Sequence, residues 1–205
     1  HDRVINRFIR VVEQETSIDK IDSLLRFSRW VTREAGITYL VGHMGAGKTD
    51  LGLLIVEVFW KELSEASDRE VHVATNIQST AEEHEFVDFI DSQPDLMEWL
   101  EKSGYKIFLF DEASSHASGY SGDASKVTRQ MRSMIRLIRK YDGSMVIIGH
   151  DGKDLHPTVR ELADYVNKTD KKEATVFKSV EDREGADKKF DMTQIPQTSL
   201  WYDTK

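Results

Sequence analysis

The chain has no cysteine, so disulfide staples and thiolate metal sites are excluded, and only three prolines interrupt its 205 residues. No apolar run approaches the roughly 20 residues that a membrane-spanning helix needs. Positive charge is also short: 28 Lys and Arg stand against 36 Asp and Glu, a formal net charge of −8. A basic footprint over the whole surface, the usual mark of a protein that coats duplex nucleic acid, is therefore missing, although a locally basic pore is compatible with the same total. The lack of cysteine and of a spanning run leads to the expectation of a cytoplasmic location.

What is present fits one α/β domain with a sizeable core. Short apolar runs alternate with segments of helical period. Residues 3–14 and 18–34 read as helices, the second with Ile18, Ile21, Leu24, Leu25, Phe27 and Trp30 near helical spacing and Gly36 as its stop. Runs at Ile37–Val41, Val71–Thr75, Lys106–Phe110, Ser144–Gly149 and Asp164–Asn167 read as strands, with a helix opening at Asp50 after the first. Residues 81–102 are acidic and read as mostly helical, broken at Pro94, and residues 113–126 as a small, polar loop. Ala174–Val180 and Lys188–Met192 flank Glu184-Gly185 as a hairpin. Strands alternating with helices predict a mainly parallel sheet covered on both faces. The expected organisation is a helical segment over 1–36, a core over 37–169 and a hairpin tail over 170–205, with Trp201 and Tyr202 packed in the core or against an adenine or a neighbour.

Residues 42–49, GHMGAGKT, match G-x-x-x-x-G-K-[ST], the phosphate-binding loop. Gly42, Gly45 and Gly47 let the backbone curl so that several N–H groups converge on one anion. Lys48 brings a point charge to the outer phosphates, and the Thr49 hydroxyl is a hard oxygen ligand for Mg²⁺. A strand before the loop and a helix after it supply the required context and a helix N-terminus that favours anions. The expected ATP site is thus Gly42, His43, Met44, Gly45, Ala46, Gly47, Lys48, Thr49 and the following Asp50, with His43 and Met44 at positions where the motif sets no residue type.

A second motif follows the apolar run Ile107, Phe108, Leu109 and Phe110, which ends directly in Asp111 and Glu112. A buried strand that delivers two carboxylates at its C-terminal end places them in the crevice where ligands bind in parallel sheets. The stretch between the two motifs has room for the strand at 71–75, the order expected of P-loop enzymes that hydrolyse ATP with an added glutamate. Asp111 is then the Mg²⁺ ligand and Glu112 the group that deprotonates water. His150, at the end of the fourth run, is either a γ-phosphate sensor or a strand-end histidine without a role, and Asn76 has a similar claim at the end of the second. In residues 127–140, Arg129, Arg132, Arg136 and Arg139 share one helical face while Met131, Met134, Ile135 and Ile138 share the opposite one. Four like charges on one stripe suit a neighbouring subunit's nucleotide, an acidic neighbour surface or DNA phosphates, or else form a solvated face.

With these pieces placed, the chain resembles the FtsK–HerA division of P-loop ATPases, and within it the zonular occludens toxin-like ATPases of filamentous phages and related archaeal viral and plasmid ATPases. The resemblance rests on ITYLVGHMGAGKT, VHVATNI, IFLFDEA and RKYDGSMVIIGHDGKDLHPTVRELADYV, and spans about residues 37–167. His150 stands where the family usually has Gln. The resemblance implies a homo-oligomer, often a hexameric ring, that couples ATP hydrolysis to DNA movement, packaging or virion assembly, with a membrane or virion protein as a further partner and the host cytoplasm as location. It adds Arg160 to the arginine-finger candidates. A small-molecule phosphotransferase and a nucleotide-switched assembly scaffold remain as alternative readings of the same motifs.

Overall fold

In the computed structural model, residues 18–111, 124–149, 161–181 and 184–203 are described, without the side chains of 18–21 and 124–130. The expected helix over 3–14 and most of the expected loop over 113–126 lie outside the described residues. Eight strands form one sheet: β1 (Ile37–Gly42), β2 (Val71–Thr75), β3 (Val87–Phe89), β4 (Tyr105–Asp111), β5 (Ser144–Ile148), β6 (Ala163–Lys168), β7 (Ala174–Glu181) and β8 (Glu184–Met192). Their spatial order is β3-β2-β4-β5-β1-β6-β7-β8. The six strands from β3 to β6 run parallel, and β7 and β8 add an antiparallel hairpin at one edge. The helices are α1 (Ile18–Val31), α2 (Lys48–Ala66), α3 (Gln78–Glu83), α4 (Gln93–Leu100) and α5 (Ala124–Lys140).

Central strands are apolar without alternation because both faces of the sheet are covered. Along β4, Ile107 and Leu109 join the core under α1 and α2, whereas Phe108 and Phe110 join the core on the other face with Trp99 of α4 and Met134, Ile135 and Ile138 of α5. The two cores share the sheet as a partition. The apolar face expected for residues 127–140 is thus the buried face of α5.

Three sequence expectations are corrected. Residues 81–102 are not continuously helical: they contain β3, a three-residue edge strand that pairs with β2. Pro94 does not break a helix but starts one, lying in the first turn of α4 behind the Ser92 cap, which suits a residue without an N–H to donate. Trp201 is not core: it is 54% exposed.

Two buried carboxylates tie distant segments together. Asp164 of β6 accepts from Trp30 Nε1 at 2.6 Å and from Lys189 Nζ at 2.7 Å, which fixes α1 and β8 to the same strand. Glu57 of α2 accepts from Thr198 Oγ1 at 2.9 Å, Ser199 N at 2.8 Å and Ser199 Oγ at 2.6 Å, and pairs with Lys61. The tail therefore crosses α2 as a strap rather than trailing from β8.

Burial pushes the Glu57 carboxyl up, but the Lys61, Ser199 and Thr198 donors outweigh it and hold it below the usual glutamate range. A group depressed in this way contributes stability above its unfolded pKa of about 4.3 and loses it as pH falls through the folded value. Glu57→Gln is expected to lower the unfolding free energy by about 1–3 kcal/mol near neutral pH. The deficit should shrink once urea unfolding is repeated well below pH 4; a deficit that stays constant with pH contradicts the assignment.

Candidate phosphate-binding site

The glycine loop joins β1 to α2, and its backbone departs from both. Gly45 and Gly47 sit in the left-handed region at φ 81° and 84°, where a side chain would be strained. Gly42 has a different reason to be glycine: a side chain there would collide with the carbonyl oxygen of Lys168, which runs alongside it in β6. Among the described residues no side chain caps α2, whose N-cap is Gly47, which leaves first-turn N–H groups for an anion in the loop. Lys48 folds back over the loop, donating from Nζ to Gly42 O at 2.8 Å and His43 O at 3.2 Å. Ala46 is buried beneath the loop, and Met44 projects from it at 95% exposure.

Asp111 ends β4, two strands away from β1, with β5 between them. The register of both ladders places Leu40, Ile148 and Asp111 in one row. From the first turn of α2, Thr49 Oγ1 reaches across this row and donates to Asp111 Oδ2 at 3.2 Å. A hydroxyl and a carboxylate side by side form a hard, oxygen-only donor pair of the kind Mg²⁺ takes, with phosphate oxygens and water completing an octahedron. Among the described residues no cluster of three or more His, Asp or Glu side chains forms a self-sufficient metal cage. The donor pair and the left-handed glycines fit a magnesium-bound polyphosphate.

Asn76 turns out to be a clamp. Its side chain is buried, donates from Nδ2 to Asp111 O at 2.9 Å and accepts from Asp111 N at 2.8 Å. This pair of bonds continues the β2–β4 ladder beyond the last backbone pair and fixes the strand end that carries the carboxylate. Val71–Thr75 thus lies outside β4, and the strand between the two motifs in space is β5.

Asp50 is half-buried, and burial raises its carboxyl, opposed by the Thr198 N–H and by Lys168 and Lys172. Tyr202 is raised by burial and by Asp50. The tail therefore lies against the residue that follows the motif. Lys168 is buried at the end of β6; burial lowers its ammonium, and Nζ donates to Asp170 O at 2.5 Å. Sequence reading missed Lys168, Glu57 and the turn after β6; the one local signal was a lysine closing a strand that is mostly buried.

Glu112, His150 and Arg160 lie outside the described residues, as does the Arg129 side chain. Arg136 and Arg139 are exposed on α5, while Arg132 is half-buried with its Nε buried and without a hydrogen-bond partner among the described residues.

No family model matches the sequence, and no curated protein matches it. Among solved structures, the fold is similar to the N-terminal domain of zonular occludens toxin from Neisseria meningitidis (18% identity, 73% of this chain and 87% of that one, TM-score 0.44). It is also similar to the cytoplasmic domain of the Thermomonospora curvata type VII secretion ATPase EccC (12% identity, 80% of this chain, TM-score 0.49), of which it spans 24%. The chain's own strand order and loop geometry, rather than these likenesses, carry the fold assignment.

Asn76→Ala takes a partner from both backbone groups of Asp111 and should cost about 1–3 kcal/mol in urea unfolding. Asn76→Asp, which keeps the acceptor but not the donor, should recover only part of that. A neutral Asn76→Ala contradicts the clamp.

Proposed function

We propose that the chain is an ATPase whose site is the glycine loop at the end of β1 and the acids at the end of β4. The observation that carries this reading is the 3.2 Å contact from Thr49 Oγ1 to Asp111 Oδ2 at the mouth of a left-handed glycine loop. Two residues 62 positions apart meet there in the pairing that a nucleotide-bound magnesium needs. The loop N–H groups and Lys48 bind the β- and γ-phosphates, with Lys48 Nζ leaving the Gly42 and His43 carbonyls for phosphate oxygens. Thr49 and Asp111 would hold the magnesium, which would supply positive charge to offset that of the phosphates. Glu112 accepts the proton of the attacking water, and the products are ADP and phosphate. His150, two residues past β5 in sequence, is assigned the orienting of the γ-phosphate.

In this reading Arg129, Arg132, Arg136 and Arg160 are the candidates to reach a neighbouring subunit's nucleotide, and the working form is a homo-oligomeric ring of viral or plasmid origin acting on DNA in packaging, transfer or virion assembly. Arg136 and Arg139, exposed on α5, support a partner that is anionic, since like charges gain little from standing side by side in water. The organisation into a helical entry segment, an ATPase core and a hairpin tail, a cytoplasmic site of action, and a membrane or virion docking partner belong to the same proposal. Among the described residues no helix is long and apolar enough to cross a membrane.

Lys48→Ala should abolish ATP binding measured by calorimetry. Glu112→Gln should keep binding and lower turnover by about 10²–10⁴-fold, as loss of a general base does. An arginine acting as a finger should lower turnover by about 10³–10⁵-fold on replacement with Ala, with binding nearly intact. DNA should stimulate hydrolysis, and light scattering with MgATP should show a ring. A strict monomer with MgATP and DNA present, without stimulation, contradicts the motor.

A further inference from the structure

The strand order gives the glycine loop two flanks. Asp111 approaches from the β4 side, and β6 and β7 lie on the other. The turn that joins β6 to β7 closes on the loop from this second flank at three points. Lys168 pairs with Gly42, and its carbonyl oxygen occupies the space of a side chain at 42. The His43 ring bridges Met44 O through Nδ1 and Thr169 O through Nε2, each at 2.8 Å. The Cα of Lys171 lies 3.9 Å from where a Cβ on Gly47 would stand.

The turn carries three lysines and two acids, of which the Glu173 carboxylate is exposed. Lys168 Nζ donates to the carbonyls of Asp170 and Glu173 at 2.5 and 3.4 Å. Lys172 Nζ donates to Ile195 O at 3.2 Å. Asp170 Oδ1 turns inward and accepts from Lys172 N at 2.7 Å and Glu173 N at 3.0 Å. Lys171 is exposed and has neither hydrogen bond nor ion pair among the described residues. Its four-carbon stem places an ammonium about 6 Å from Cα, far enough to span the thickness of the Gly47 backbone.

We propose that Lys171 is a second ammonium for the phosphates held in the glycine loop, contributed by the β6–β7 turn on the flank away from Thr49 and Asp111. Magnesium and Lys48 offset charge on the β4 side and over the loop, and Lys171 offsets it where neither reaches. The turn is pinned to the loop by the Lys168–Gly42 and His43–Thr169 contacts, so the lysine is delivered by backbone placement rather than by chance rotamers. This inference rests on the polyphosphate reading of the loop.

Calorimetric titration with MgATP and with metal-free tripolyphosphate tests it on wild type, Lys171→Ala, Lys171→Arg and Lys171→Glu. Lys178→Ala, an exposed lysine further along β7, serves as the control for bulk charge. Lys171→Ala should weaken both ligands by about tenfold, the scale of one partly solvated ion pair. Lys171→Glu should weaken them further, Lys171→Arg should stay close to wild type, and Lys178→Ala should have no effect. Thermal unfolding midpoints should be unchanged across the set. Wild-type affinity in Lys171→Ala, or an equal loss in Lys178→Ala, overturns the role of Lys171 while leaving the loop assignment intact. Failure of wild type to bind either ligand overturns the loop assignment itself.

Discussion

The row shared by Leu40, Ile148 and Asp111 sets the geometry on which the site depends. Strands stand about 4.8 Å apart, so the end of β4 lies about 10 Å from the end of β1, too far for neighbouring strand residues to touch. The gap is closed from above. Gly52 has no side chain to hold α2 away from the sheet; a Cβ there would meet Ile148 Cδ1 at 2.8 Å and Leu109 Cδ1 at 3.1 Å. With α2 seated that low over β5 and β4, its first turn brings Thr49 to Asp111. A register slip of one residue in β4 would turn the carboxylate to the opposite face and remove the donor pair altogether. Asn76 guards against this by bonding both backbone groups of Asp111.

The second flank is built by different means. There the loop meets backbone, not side chains: the Lys168 carbonyl against Gly42, the Thr169 carbonyl against His43 and the Lys171 Cα near Gly47. Backbone contacts of this kind hold position well but offer little sequence signal, because many residue types present the same carbonyl. The strap continues the enclosure. Ile195 N donates to Lys172 O at 3.0 Å, Glu57 anchors Thr198 and Ser199, and Asp203 N donates to Ser79 Oγ at 3.1 Å. The loop, the turn after β6 and the tail are thereby joined by hydrogen bonds.

The parts legible in the sequence are those whose signal is local. Gly42-to-Thr49 carries its own spacing, IFLFDE pairs a buried run with acids, and the two runs of the β7–β8 hairpin stand out, although Glu184 and Gly185, expected at its turn, pair with Glu181 and Val180 as the first residues of β8. What was illegible depends on distant partners. β3 has three residues in an acidic stretch, and it is a strand only because β2 lies beside it. Pro94 reads as a breaker until the Ser92 cap shows that the helix starts there. Asn76 reads as a polar strand end until Asp111, 35 residues on, supplies both partners. Gly42 reads as a turn residue, yet its constraint is the close approach of β6.

The central claim is that one magnesium-bound triphosphate touches the loop, Thr49 and Asp111 together. A crystal structure grown with Mn²⁺ and a non-hydrolysable ATP analogue tests it most directly, because Mn²⁺ is located by its anomalous signal independently of the refined chain. The account predicts a single strong peak beside Thr49 Oγ1 and Asp111, with the phosphates enclosed by residues 42–49. A peak remote from that pair, or a nucleotide seated elsewhere on the sheet, would contradict it.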